Sequence, residues 1–175
     1  MNYKLILIML TIQGCLTTVK RINNKLIQEG TIIEQGNSSK QIVYHFKKVK
    51  YVDNMIDNLA GLNQGEMFEI IIDSLKPFKN IILFYKPILG DTNNYYKDSV
   101  VILEKNLQYY PIFKIKLFYV RYSFYYKGYN LKSLIRSEYI ECNEKSMFLK
   151  YLEKGDKIEA LFSKNRPEVC YLNLR

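Results

Sequence analysis

The chain has one histidine, three cysteines and four prolines among its 175 residues, and these scarcities exclude several kinds of chemistry. A Ser-His-Asp nucleophile system would have to use His45, and no Gly-x-Ser-x-Gly elbow accompanies it. A zinc site needs three or four His, Cys or carboxylate ligands, and one His with two distant Cys is a poor set. No Gly-rich phosphate loop is present. The sequence therefore predicts no catalytic residues, no metal and no cofactor, and it reads as a non-enzyme. Long apolar runs are also missing from the body. "IILFY" at 81–85 and "VVIL" at 100–103 fall far short of the ~20 residues of a membrane span. No block of five like charges occurs, although the formal net charge is +9. The densest patch is "HFKKVK", His45 to Lys50. A positive surplus attracts polyanions and anionic membranes, but nucleic-acid arms are usually denser in charge than this.

What is present is a folded composition. Hydrophobic residues make up 48% and charged residues 25%, with 16 Tyr and 9 Phe. That is too apolar and aromatic for a disordered chain. The body also repeats itself. Leu62–Leu83 and Leu152–Leu172 align without gaps at an offset of 90, matching Gly65 to Gly155, Glu66 to Asp156, Glu69 to Glu159 and Pro77 to Pro167. Upstream, Tyr44, Phe46 and Tyr51 match Tyr122, Phe124 and Tyr129 at an offset of 78, which assigns 12 extra residues to Leu131–Lys154 of the second copy.

Each copy reads as about four strands, and the fold class is mainly β: two related small antiparallel modules, each a curled sheet or small barrel. Ile42, Tyr44 and Phe46 alternate with Val43, His45 and Lys47, the period of a half-buried strand that leaves His45 exposed. "KVKY" and "YKGY" read as hairpin bends, and Gly65-Glu66 and Gly155-Asp156 as turns before strands "MFEIIID" and "KIEALFS". Pro77 and Pro167 are expected in loops before the closing strands "NIILFY" and "CYLNL". In "FKIKLFYV" the alternation slips, and a bulge near Phe118 would reconcile it. "KSMFLKYLEKGD" has helical spacing ending at Gly155, a short helix within the second module, with "VDNMIDNLAGL" as its counterpart. The carboxylate pairs Glu66/Glu69 and Asp156/Glu159 are read as turns and solvated strand positions. The boundaries follow: 1–14 leader, 15–85 first module, 86–99 linker, 100–175 second module.

The leader has the layout of an export signal: Lys4, an apolar core from Leu5 to Ile12, then Gly14 and Cys15. Ile12, Gly14 and Cys15 resemble a bacterial lipoprotein signal, while Gln13 stands where a small residue is usual. The resemblance implies lipidation of Cys15, which becomes the first residue of the mature protein and ties it to a membrane. In Bacteroidota-like lipoproteins early acidic residues favour surface display; here "LTTVKR" follows, with no acid before Glu29, so the protein is expected in the cell envelope facing the periplasm. The expected partner is another envelope or exported protein, with toxin immunity as one concrete version, and no nucleic acid. The small-molecule ligand stays open. "Gly-Asp-x-apolar … Asn-x-Pro" at the close (Gly155, Asp156, Asn165, Pro167) resembles small β domains of unknown function in envelope proteins; the first copy has Leu75 in place of the Asn. With Cys15 lipidated, Cys142 and Cys170 form an even pair, and an oxidising compartment would permit a disulfide contributing ~2–4 kcal/mol. The alternative is a cytosolic basic β protein in which residues 3–10 are a strand and the Tyr- and Lys-rich stretch from Tyr109 to Lys132 binds nucleic acid.

Overall fold

The computed structural model describes residues 22, 24–35, 39–54, 63–110, 114–125, 133–166 and 168–174. The leader, Cys15, "YKGY", Pro167 and most of "VDNMIDNLAGL" lie outside the described residues. Ten strands form two antiparallel five-stranded sheets. The first holds β1 (Lys25–Gln35), β2 (Ser39–Phe46), β3 (Val49–Asn54), β4 (Met67–Asp73) and β5 (Lys76–Pro87), in the order β3-β2-β1-β4-β5. The second holds β6 (Tyr95–Tyr110), β7 (Ile115–Tyr125), β8 (Ser133–Glu141), β9 (Lys157–Ser163) and β10 (Cys170–Leu172), in the order β10-β9-β6-β7-β8. Read from the other edge, the second order is the first repeated. The mainly β fold with two related modules is therefore the fold of the chain, and one sheet curls strongly into a half-barrel.

The repetition extends to individual hydrogen bonds. Gly65 N–H donates to Ile32 O at 2.7 Å and Gly155 N–H to Ile102 O at 2.8 Å. Ile32 N–H donates to Glu66 O at 2.8 Å and Ile102 N–H to Asp156 O at 2.9 Å. Both glycines have positive φ, +80° and +99°, which a side chain would strain. "MFEIIID" and "KIEALFS" are β4 and β9 to the residue, and the offset of 90 runs on through Ile70↔Ile82 against Ala160↔Leu172. Upstream the ladder corrects the sequence alignment by two residues. Tyr44 pairs with Gly30, and Gly30 with Phe68; by the same register the counterpart of Tyr44 is Phe124, not Tyr122. Part of the extra length thus sits in the long β6–β7 hairpin rather than all within 131–154. The remainder holds a 3₁₀ turn, η2 (Met147–Tyr151), the expected short helix in tighter form.

Three other local expectations change. Pro77 lies inside β5, on an edge strand where its missing N–H costs no ladder bond. The connection between modules is shorter than 86–99, because Pro87 ends β5 and Tyr95 opens β6, with the 3₁₀ turn η1 (Thr92–Asn94) between them. The register shift lies in β6, between Ile102 and Glu104, and not near Phe118. The slip in β7 has another cause: both of its faces are covered. Phe118, Val120, Tyr122 and Phe124 enter the core of the second sheet with Val100, Ile102 and Phe162. Leu117, fully buried, lies on the opposite face with Tyr119, Tyr139 and Tyr110. There Phe84 of β5 packs edge-on against Tyr139 at 4.9 Å and Tyr110 at 5.7 Å.

The β2–β3 hairpin turns on Lys47-Lys48, both at positive φ (48° and 67°). Two-residue hairpins of that shape favour Asn-Gly, and left-handed backbone costs a lysine about 1 kcal/mol or more. Exchanging Lys47-Lys48 for Asn-Gly is expected to stabilise the fold by about 1 kcal/mol, seen as a higher urea midpoint at unchanged m.

Strand direction gives each module two ends. The leading end of the first module carries the start of β1, the Lys47-Lys48 turn and the Ser74-Leu75 turn between β4 and β5. Its trailing end carries the Gly65-Glu66 turn and the close of β5. Modules stack leading end to trailing end. In the second module the β9–β10 loop is the counterpart of the Ser74-Leu75 turn: Ser74 N–H donates to Asn24 O at 2.8 Å and Lys164 N–H to Asn94 O at 2.9 Å. That loop reaches the trailing end of the first module, where Asn63 Nδ2 donates to Glu168 O at 2.9 Å.

Candidate functional site

The trailing turn of the first module and the leading end of the second enclose a buried polar cluster. Glu66 and Arg136 are only 2% and 4% exposed. The turn at Gly65 fixes Glu66, whose Oε2 accepts from Asn63 N–H. Its Oε1 accepts from the Arg136 guanidinium and from the Tyr171 hydroxyl, the latter at 2.7 Å. Arg136 also stacks over the Tyr171 ring at 5.0 Å and lies 3.7 Å from Glu138 Oε1. Glu138 accepts from the Tyr122 hydroxyl and from Leu172 N–H at 3.1 Å. The Tyr122 hydroxyl also meets Cys170 Sγ at 3.4 Å.

These groups arrive by strand alternation. In β8, Leu134, Arg136, Glu138 and Ile140 share one face, opposite Phe124, Tyr122, Val120 and Phe118 of β7. An arginine and a glutamate therefore stand in an otherwise apolar row. Burial opposes the Arg136 charge, but Tyr122, Glu66 and Glu138 around it outweigh that and hold it ionised. Burial raises Glu138 above the usual carboxylate range, against the pull of Arg136 and Tyr122. Burial likewise raises Tyr122 and Tyr171, and it pushes the Cys170 thiol up to about 12.

A thiol or phenol raised in the folded state keeps its proton longer folded than unfolded. Its stability contribution is complete below the unfolded pKa, about 9 for a thiol, and fades as pH climbs toward the folded value. The urea midpoint is therefore expected to fall steeply between pH 9 and 12, and Cys170→Ala should soften that fall.

Glu66 was legible as a turn residue but not as a buried one, and Arg136 carried no flag. The available signal was the Arg-x-Glu pair on the apolar face of "SLIRSEYIE". Asp156, the counterpart of Glu66, is exposed and caps its own turn through Glu153 N–H at 2.7 Å. Glu69 pairs with Lys86 at 3.4 Å, while Glu159 pairs with Lys97 at 2.9 Å in the other sheet; His45 is exposed on β2. The structure gathers these three into no common cluster.

Cys142 and Cys170 are free thiols, a correction to the disulfide. Cys142 Sγ faces Met147 Sδ at 3.7 Å, whereas Cys170 points into the core beside Tyr122. Among the described residues no group of three or more His, Cys, Asp or Glu is placed to hold a metal ion. In and beside the Tyr- and Lys-rich stretch, Lys105 Nζ donates to the carbonyls of Lys150 and Leu152 at 2.7 and 2.6 Å, Arg121 lies 4.0 Å from Glu104, and Tyr110 and Tyr119 belong to the aromatic contact under Phe84. Those basic and aromatic groups have partners within the protein already. No helix among the described residues is long and apolar enough to cross a membrane.

No family model, curated protein or solved structure matches this chain.

The carboxylates, guanidinium and hydroxyls of the cluster bond to one another across the junction and tie the two modules together, with Arg136 Nε left without a hydrogen-bond partner.

Proposed function

We propose that the protein is a membrane-tethered lipoprotein of the bacterial cell envelope, lipidated on Cys15, facing the periplasm, and acting as a non-enzymatic binding or assembly module. Toxin immunity is one concrete version, in which a basic body would suit an acidic exported partner. The tether rests on the Ile12-Gln13-Gly14-Cys15 motif after an apolar core. The non-catalytic reading rests on one observation: Glu66, Arg136, Tyr122 and Tyr171 are buried, Glu138 is largely covered, and the five are bonded to one another. A general acid or base has to reach a substrate, and these groups face only the junction.

Metabolic labelling with a palmitate analogue tests the tether. The wild type is expected to take up label and to fractionate with membranes, and Cys15→Ala to lose both. An unlabelled, soluble wild type would sink the reading and return the cytosolic nucleic-acid alternative.

A further inference from the structure

Two features of the sequence find no use in the junction: the "HFKKVK" patch, and Leu75 where the second copy has Asn165. Topology brings them to the same place, the leading end of the first module. The end carries six lysines: Lys25 at the start of β1, Lys47, Lys48 and Lys50 around the β2–β3 turn, Lys76 and Lys79 after the β4–β5 turn. None is ion-paired among the described residues. Two acids lie nearby: Asp73 is buried and accepts from Leu75 N–H at 3.0 Å, which fixes the turn, and Asp53 accepts from Asn80 Nδ2 at 2.6 Å, so the six lysines outnumber them. Out of that ring project Leu75, 77% exposed, and Phe78, 66% exposed.

The second module shows what this end does when it has a neighbour. There the counterparts of Leu75 and Phe78 are Asn165 and Glu168, and the loop docks on the trailing end of the first module. The first module has no module before it among the described residues, and where the second has the polar Asn165 and Glu168 it carries the apolar Leu75 and Phe78 amid lysines. The chain itself enters here. Asn24, whose carbonyl is bonded to Ser74 N–H, is nine residues beyond Cys15, a span of at most about 30 Å.

We propose that this leading end lies on an anionic lipid surface, with Leu75 and Phe78 entering the headgroup region and the lysines holding anionic headgroups. The proposal rests on the reading of Cys15 as the tether, because the tether puts this end toward the bilayer. Apolar burial plus attraction to anionic lipid is the usual basis of interfacial binding. A second copy of the chain is the competing occupant, since the trailing end of the second module exposes Met147, Phe148 and Tyr151. Charge argues against it. Around η2 and its following turn, Lys145, Lys150 and Lys154 are balanced by Glu144, Glu153 and Asp156, which offers nothing to six lysines.

The chain has no tryptophan, so Phe78→Trp places a single reporter at the tip. In the full chain carrying Cys15→Ala, its emission is expected to shift to the blue, and to be quenched by brominated lipid, on vesicles of phosphatidylcholine with phosphatidylglycerol. Phosphatidylcholine alone should produce neither. Lys47→Glu with Lys48→Glu should raise the lipid needed for half-maximal shift at least about tenfold, with an unchanged far-UV circular dichroism spectrum. Unchanged emission on vesicles that carry the protein down overturns the proposal. A blue shift without lipid that grows with protein concentration also overturns it, in favour of an interface between copies. The tether is read separately: label on Cys15 with a silent tryptophan fails this proposal alone, and a responding tryptophan on an unlabelled wild type fails the tether alone.

Discussion

Arg136→Met is expected to cost about 3–5 kcal/mol of folding stability. Among the described residues the guanidinium is the cation paired with Glu66 and Glu138, and methionine leaves the two carboxylates without that counter-charge. Breaking a buried pair from one side is costly for this reason, whatever the net value of the intact pair. Urea unfolding at neutral pH provides the measurement. Glu66→Gln added to Arg136→Met should cost less than the two single changes together, because it removes one of the stranded charges. Additive effects would mean that the two side chains do not share a buried contact. The junction joins both modules, so the wild type should unfold in one transition, and Arg136→Met is the variant expected to separate it into two.

Leu117→Ala is the second large effect, about 2–5 kcal/mol, set against less than about 0.5 kcal/mol for Leu107→Ala. The two leucines differ in environment: Leu117 is 0% exposed and Leu107 is 52% exposed. Leu117 is buried on the face of β7 that would meet water in a free-standing module. Equal costs at the two sites would contradict the packing of Phe84 and β5 over that face.

These effects fall where sequence reasoning was weakest. Alternation and turn chemistry located β4 and β9 to the residue, because Gly65 and Gly155 supply the positive φ their turns require and each strand has an apolar core row. Local pattern cannot reveal a second buried face, so the slip at Leu117 and Phe118 read as a bulge. The Tyr-x-Phe landmarks misled for a related reason: one face of a strand accepts Tyr or Phe at any even position, so a two-residue shift keeps the burial and changes only the partner across the ladder. Glu66 and Arg136 stand 70 residues apart in sequence, and nothing local joins a glutamate in a turn to an arginine in a strand. The thiols illustrate the opposite error. An even count in a permissive compartment allowed a bond between Cys142 and Cys170, but both are free thiols, one just after β8 and the other in β10, at opposite edges of the second sheet.

The most direct test of the central claim is the intact mass and amino-terminal peptide of the protein extracted from cell membranes. The account predicts a chain that begins at Cys15, with residues 1–14 removed and acyl-bearing lipid added to that residue. A chain retaining Met1 with an unmodified Cys15, or one recovered only from the soluble fraction, would contradict it.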